Sequence, residues 1–421
     1  MKFKTEIFLD RFIGHIACFF LGVSAWCLGK ILKRDHSVKQ ENVRVIAVAK
    51  YFGMGSITHA VPMLRALKSR YPKAKLIFIT RKNNKQIIDL ISYIDKAFYI
   101  KDKSLIALAA SSVLLIFKLQ REKVDLFFDL EVFSAYGVLI SLLSLARNRL
   151  GFFFAHSTNF KTWLHTHLMY FNFQMPLRLS YMQLARLGGA SPQASIDLEP
   201  FNLNSAVLKS CKKRLNKIIK NKGKKIIGIN VNASELSFAR RWSLENFAKV
   251  ASYFADNGYG VLLFGSAQEK YYAQQLFDFL SKPSENIYNI AGKFPLPEVL
   301  ALLPICDAFL TNDSGLMNLA YAQNAKVVAL YGANSPQFVH IDNGVNEAVY
   351  KKSFCSPCLY IFDDSPCATD VVCMKNITVN NVISAVSKVL QTPAAKIKPT
   401  SRECIVVNKE LNYVMGTLKI K

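Results

Sequence analysis

From residue 43 onward, compact apolar runs alternate with longer stretches whose apolar positions recur at helical spacing. Residues 43–49 (VRVIAVA) form a β-branched run suited to a strand buried on both faces of a parallel sheet. A helix is predicted over 58–70. Ala60, Met63, Leu64 and Leu67 give it one face, and Pro62 sits near its start, where a missing N–H costs least. Strands are predicted at 75–80 (KLIFIT), 97–100 and 124–130 (VDLFFDL), with helices at 85–92, 104–120 and 135–146. The pattern restarts after residues 205–225, which carry nine Lys or Arg and no acid. There Leu208, Cys211, Leu215, Ile218 and Ile219 recur at helical spacing. This basic amphipathic helix reads first as a solvated face and second as a contact for anionic lipid head groups. Strands follow at 225–231 (KIIGINV), 260–264 (GVLLF), 308–311 and 326–331 (KVVALY), with a short extended stretch at 287–291. Helices are predicted at 244–257, 268–280, 297–303, 314–323 and 380–391.

Strands alternating with helices imply doubly wound parallel sheets, and each such sheet presents a ligand crevice at the carboxyl ends of its strands. The predicted class is therefore α/β, with two Rossmann-like halves facing across a cleft that could hold two substrates. Boundaries are expected at 41–204 and 205–391, with a segment 1–40 ahead of them and a basic tail at 392–421.

Residues 12–32 (FIGHIACFFLGVSAWCLGKIL) are apolar, and 16–29 carry no charge. Lys2, Lys4 and Arg11 precede the run; Lys30, Lys33 and Arg34 close it. A spanning helix needs about 20 apolar residues, so the leading reading is a membrane-associating helix, in-plane or weakly spanning. A cleaved signal peptide ending near Val23-Ser24-Ala25 and a hydrophobic helix packed on the next domain are the other readings. His15 fits a tolerated interfacial residue better than a ligand.

The chain has 421 residues, 51% of them hydrophobic, which excludes a disordered polypeptide. Lys and Arg number 54 against 29 Asp and Glu, an excess of +25 that implies anionic partners. No zinc-finger, RRM or helix-turn-helix pattern accompanies it, so nucleic acid is not expected. The nine cysteines fit a reduced protein better than a disulfide framework. Cys355, Cys358, Cys367 and Cys373 could bind zinc through four thiolates, although the last two are not a CxxC pair; structural thiols are the preferred reading.

The sharpest local signal is Asn312-Asp313-Ser314-Gly315, where a strand ends and a helix begins. Asp313 or Ser314 can cap that helix, its first amides and dipole suit an anion, and Gly315 allows close approach. Taken alone it is an ordinary capped turn. Arg240-Arg241-Trp242, after the loop 231–234, offers guanidinium groups for phosphate. Glu269, after GVLLF, could accept from sugar hydroxyls or merely favour a helix start. Ala291-Gly292-Lys293 is a weaker turn carrying a cation.

In order, GSITHAVPMLRALKSRYPKAKLIFIT, RRWSLENFAKVA, GVLLFGSAQE, NIAGKFPLPEVLALL, CDAFLTNDSGLMNLAYAQNAKVVALYG and CSPC resemble glycosyltransferase family 9, the family of the lipopolysaccharide heptosyltransferases. The resemblance runs from about residue 44 to 390. It implies a GT-B fold, an ADP-activated sugar donor in the C-terminal domain, and a lipid A–core acceptor at the N-terminal one. It also implies inversion at the anomeric carbon and no metal or other cofactor. On it, Arg240 grips the donor diphosphate and Asp313, Ser314 and Gly315 form the nucleotide-sugar loop. Asn312, Asn318, Glu269 and Ser234 complete the donor side, while Gly55, Ser56, His59 and His156 mark the acceptor side. His165 and His167 lie in the same aromatic stretch as His156. The implied partners are a nucleotide sugar, an anionic membrane glycolipid and the cytoplasmic face of the bacterial inner membrane, reached peripherally or by a single N-terminal anchor.

Two positions depart from the family. Where an Asp general base usually follows the Gly, this chain has Ser56, which cannot take a proton unaided. Where a His usually follows the donor turn, it has Asn318. Glu131, at the end of VDLFFDL where members commonly carry Gln, is the candidate replacement base, with Asp129, His59 and His156 behind it. A degenerate member that binds without catalysis is the main rival. An NAD-linked oxidoreductase is disfavoured, because Gly53-Met54-Gly55 continues as Ser56-Ile57-Thr58 and not as G-x-G-x-x-G.

Overall fold

The computed structural model describes residues 3–32, 35–38, 43–154, 164–219, 224–233, 238–359, 367 and 370–393. The chain divides into two compact units, one ending at Ile196 and one beginning at Asp197.

The first unit opens with α1 (Phe3–Leu32), β1 (Val45–Ala49), α2 (Met54–Arg70), β2 (Lys75–Arg81), the single turn α3 (Lys85–Ile88), β3 (Lys96–Ile100) and α4 (Leu105–Glu122). It continues through β4 (Leu126–Asp129), α5 (Ala135–Leu143), β5 (Asn148–Phe153), β6 (His167–Tyr170) and α6 (Leu177–Leu187). Its sheet runs β3-β2-β1-β4-β5-β6, parallel throughout. The chain reverses direction across the sheet between β1 and β4, and the loops at that switch point are where a doubly wound sheet holds its ligand.

The second unit contains α7 (Ser205–Ile218), β7 (Ile226–Asn230), α8 (Leu244–Asp256), β8 (Gly260–Phe264), α9 (Lys270–Gln274), β9 (Ile287–Asn289) and α10 (Leu296–Leu302). Then come β10 (Ala308–Asn312), α11 (Gly315–Ala322), β11 (Val327–Tyr331), α12 (Pro336–Val339), β12 (Glu347–Tyr350), α13 (Val372–Lys375) and α14 (Val379–Gln391). The order β12-β11-β10-β7-β8-β9 repeats the topology of the first sheet, with its switch point between β7 and β10. Trp242 is 1% exposed beside Phe247 and donates its indole N–H to the Ile377 carbonyl at 2.9 Å, tying α8 to the C-terminal helices.

Several elements differ from the sequence pattern. Helix α2 begins at Met54, not at residue 58: Gly53 turns the chain at φ 85, a conformation that favours glycine, and its carbonyl accepts from Ile57 N at 3.1 Å. Pro62 therefore lies inside the helix. The stretch 268–280 is split into α9 and a 3₁₀ segment, Gln275–Phe279. The basic helix α7 turns Cys211 and Leu215 inward, and Ser210 and Arg214 bind Glu298 of α10 at 2.8 Å each. It is a domain helix with a solvated basic side.

The N-terminal run is helical, but among the described residues no helix is long and apolar enough to cross a membrane, which corrects the spanning form of the anchor. Instead α1 packs on α5. Asp10 accepts from the Ala135 and Tyr136 amides at 2.9 and 2.8 Å, capping α5 from outside. A Cβ at Gly14 would meet Ala135 Cβ at 2.6 Å, so only glycine permits this approach.

Candidate functional site

At the switch point of the second unit, the ends of β7 and β10 are joined by neutral polar groups. Asn230 Nδ2 donates to Thr311 Oγ1 (3.1 Å), Ser314 Oγ (3.0 Å) and the Asn232 carbonyl (3.1 Å). Asn312 donates to the Val231 carbonyl at 2.9 Å and accepts from Trp242 N at 3.1 Å. These bonds fix the turn 311–315 against two neighbouring loops. Ser314 caps α11 by accepting from Met317 N at 3.2 Å, and Asn318 donates to the Ser314 carbonyl at 2.9 Å. The start of α11 is thus held rigid, and its first-turn amides and dipole favour an anion.

A charged pair lies beside that turn. Arg240 Nη1 is 3.6 Å from Asp313 Oδ2, and both residues are buried. Asn334 donates to the same oxygen at 2.9 Å. Glu269 accepts from Asn232 Nδ2 at 2.6 Å and from Ser266 N at 2.7 Å, which places it at the same end of the sheet. Arg241 has a different job. It donates to the Ala233 carbonyl at 3.2 and 3.0 Å and covers the Phe238 and Tyr272 rings, so it braces the loop. Ser234 lies outside the described residues.

The switch point of the first unit is built on an ion pair. Glu131 Oε1 accepts from the Tyr51 and Phe52 amides at 2.7 and 3.0 Å, and Oε2 from Lys50 Nζ at 2.8 Å. The two side chains are only 9% and 10% exposed. Beneath it, Asp129 accepts from Glu131 N at 3.1 Å and faces His165 Nε2 at 3.4 Å. Burial pushes the Asp129 acid up, the neighbouring His165 pulls it partly back, and the Glu131 charge adds to the rise. Ser56 is half-buried in the first turn of α2, and Gly55 is buried. His59, expected on the acceptor side, is 0% exposed within α2. His156 lies outside the described residues. His167 is half-buried on β6, and burial, His36 and Arg149 all lower its pKa.

The four cysteines Cys355, Cys358, Cys367 and Cys373 are free thiols. Burial raises Cys373 to about 11, with neighbouring thiols adding to it. Among the described residues no group of three or more His, Cys, Asp or Glu could hold a metal ion, so the zinc option finds no support in this arrangement.

Residue pattern alone missed Lys50, Asn230 and Asn334. Asn230 ends the buried strand β7, Lys50 directly follows β1, and Asn334 lies in the loop after β11. A polar residue at the carboxyl end of an apolar run was the available signal.

Residues 181–367 match the family model for Glycosyltransferase family 9 (heptosyltransferase). Lipooligosaccharide heptosyltransferase 2 of Haemophilus influenzae is 41% identical over 114 residues, 27% of this chain and 33% of that protein. Lipooligosaccharide heptosyltransferase 2 of Campylobacter jejuni is 30% identical over 181 residues, 42% of this chain and 55% of that protein. The aligned part of this chain thus spans only about a third to a half of these curated relatives. The solved Escherichia coli ADP-heptose lps heptosyltransferase II superposes with a TM-score of 0.65 at 20% identity, covering 83% of this chain and 98% of that one, which shows a shared fold of GT-B type. The family match takes in Arg240, Glu269 and the 312–318 turn. It leaves out Ser56 and Glu131.

Proposed function

We propose, for a chain whose residues 181–367 belong to glycosyltransferase family 9, an inverting transfer of a heptose-like sugar from a nucleotide-diphosphate donor to a lipopolysaccharide-core or related membrane glycolipid. The donor is an ADP-sugar, the type named for the solved Escherichia coli relative. The observation that carries this reading is the buried Arg240–Asp313 pair beside the Ser314-capped start of α11. In one displacement an acceptor hydroxyl gives its proton to a base. Its oxygen bonds to the anomeric carbon, and the bond to the diphosphate breaks with the electron pair leaving on the diphosphate. Arg240 and the α11 amides stabilise that departing charge. Glu131 takes the proton, after releasing Lys50, in place of an acid at Ser56. The reaction runs at the cytoplasmic face of a bacterial inner membrane.

The test is a thermal-shift panel of ADP-, UDP-, GDP- and CDP-sugars. A donor at a hundredfold its Kd stabilises by about 2.7 kcal/mol, and the ADP-sugar should raise Tm most. No rise with any member ends the reading.

A second reading has its own observation. Both carboxylate oxygens of Glu131 anchor the loop after β1, and Ser56 carries no charge. A chain that binds a nucleotide sugar without turning it over would look like this. Donor-dependent stabilisation with no transfer to any acceptor extract would select it.

A further inference from the structure

The first unit carries two helix faces that its own core does not cover. On α4, Leu115 and Leu119 are buried against the sheet, whereas Ile106, Val113, Leu114 and Phe117 are 82%, 53%, 55% and 58% exposed. On α1 the inward stripe is Asp10, Gly14, Cys18 and Gly22. Its outward stripe includes Ile13, Ile16, Phe20 and Val23, each at least 45% exposed. Both helices flank α5. The α1 side is fixed by Asp10, and the α4 side by the Ser112–Tyr136 hydroxyl pair at 2.7 Å and by Gln120 donating to the Leu143 carbonyl at 2.8 Å. Leu115 and Leu119 of α4 and Ile140 of α5 share one core cluster with β1 and β2, while Ala135 and Val138 of α5 pack with Cys18 of α1. Helices α4, α5 and α1 therefore form one layer on one side of the sheet, and both apolar stripes point away from it.

Charge says what covers them. Lys101 precedes α4, and Lys118, Arg121 and Lys123 stand at its other end, all exposed. The acids among them are already engaged: Asp102 with Arg81 at 2.9 Å, and Glu122 with Lys75 and Lys96 at 2.6 and 2.7 Å. A depression of about 650 Å³ at the amino end of α4 is lined by Arg81, Lys82, Lys101 and Lys103 together with Asn83, Ala107 and the Arg81-paired Asp102. Lysine is depleted at protein–protein interfaces, whereas apolar helix faces rimmed by Lys and Arg suit the boundary of an anionic bilayer.

From this we infer that the outer faces of α4 and α1 together dock in the plane of an anionic phospholipid bilayer, with the basic rim and the depression taking lipid phosphates. This deepens the membrane part of the proposed function, and its test stands apart from transfer. Full-length protein is cosedimented with phosphatidylcholine vesicles, with and without phosphatidylglycerol. Wild type should prefer the anionic vesicles. Ile106→Ser/Val113→Ser/Phe117→Ser and Ile13→Ser/Ile16→Ser/Phe20→Ser should each weaken binding by about tenfold or more. Removing Lys101, Lys118 and Arg121 as Gln should cost about fivefold per charge on the anionic vesicles alone. An unchanged donor-induced Tm rise verifies that each variant is folded, and Phe117→Ser alone carries the test should the triple α4 variant not fold. No binding by wild type overturns the inference. So does undiminished binding by the α4 variants, or a wild-type oligomer that they dissociate, which would make the face a protein interface. Transfer to a deacylated, water-soluble acceptor without vesicles reads the transferase proposal independently.

Discussion

The two switch points share one strand order and differ in what joins their loops. In the second unit the joining groups are neutral amides and hydroxyls, Asn230, Asn312 and Ser314, and the charges of Arg240 and Asp313 stand beside the turn. In the first unit the joining group is itself a charge, Glu131, held by Lys50 and two amides. A neutral frame keeps its geometry when an anion arrives, because none of its own bonds is an ion pair; only the Arg240–Asp313 contact beside it, at 3.6 Å, has to share its guanidinium. A charged clamp must open, or change protonation, for its carboxylate to act on anything else. The second turn is therefore held in place before any ligand arrives, as the proposed donor site requires, while Glu131 in the first either holds a loop or does proton chemistry.

The largest expected effect decides between those two roles. Breaking a buried ion pair costs about 3–5 kcal/mol, so Glu131→Gln and Lys50→Met should both lower Tm. Assayed below the lowered Tm, a lost general base should reduce turnover by about 10²–10⁴-fold in Glu131→Gln, with donor affinity intact. Full turnover by Glu131→Gln would leave Glu131 as an anchor only and send the search for a base elsewhere.

On the donor side, Arg240→Ala should weaken ADP binding by about tenfold to a hundredfold, the worth of a charged hydrogen bond of about 1.5–3 kcal/mol. Calorimetric titration with ADP measures it. An unchanged affinity would show that Arg240 serves only Asp313.

This asymmetry also explains what could be read in advance. The central strands β1, β2, β7, β8, β10 and β11 are buried on both faces, so unbroken apolar runs exposed them. Edge strands β6 and β12 are mostly half-buried, and their mixed sequences hid them. Arg240 and the 312–315 turn were legible because a cap, a glycine and paired arginines sit at short spacing. Glu131 was noticed as an acid at a strand end, but its partner Lys50 is 81 residues away, and only the parallel pairing of β1 with β4 brings them together. The outward apolar stripe of α4 read simply as helix, because periodicity reports two faces without saying which one the core takes.

A smaller effect sharpens the rigidity argument. Ser314→Ala removes the α11 cap and the Asn230 contact, and loss of a cap costs about 1 kcal/mol. Tm should fall modestly, and ADP affinity should fall several-fold, since the amides then lose their fixed aim. Loss of Tm with unchanged affinity would mean that the ligand itself orders the turn.

The smallest effect concerns the charge beneath the first switch point. Asp129 is 1% exposed, and its acid is raised chiefly by burial. An acid raised on folding holds its proton more tightly in the folded state. Its stabilising contribution is complete below the unfolded value of about 3.9 and is lost as pH rises through the raised folded value. In Asp129→Asn no such loss occurs. The Tm of that variant should therefore gain on wild type as pH rises across this window, as a melting series at closely spaced pH values would reveal. A difference that stays flat, or turns in favour of wild type, would mean that the His165 pair at 3.4 Å outweighs burial. The first switch point would then rest on two ion pairs stacked on each other, widening its contrast with the neutral frame of the second.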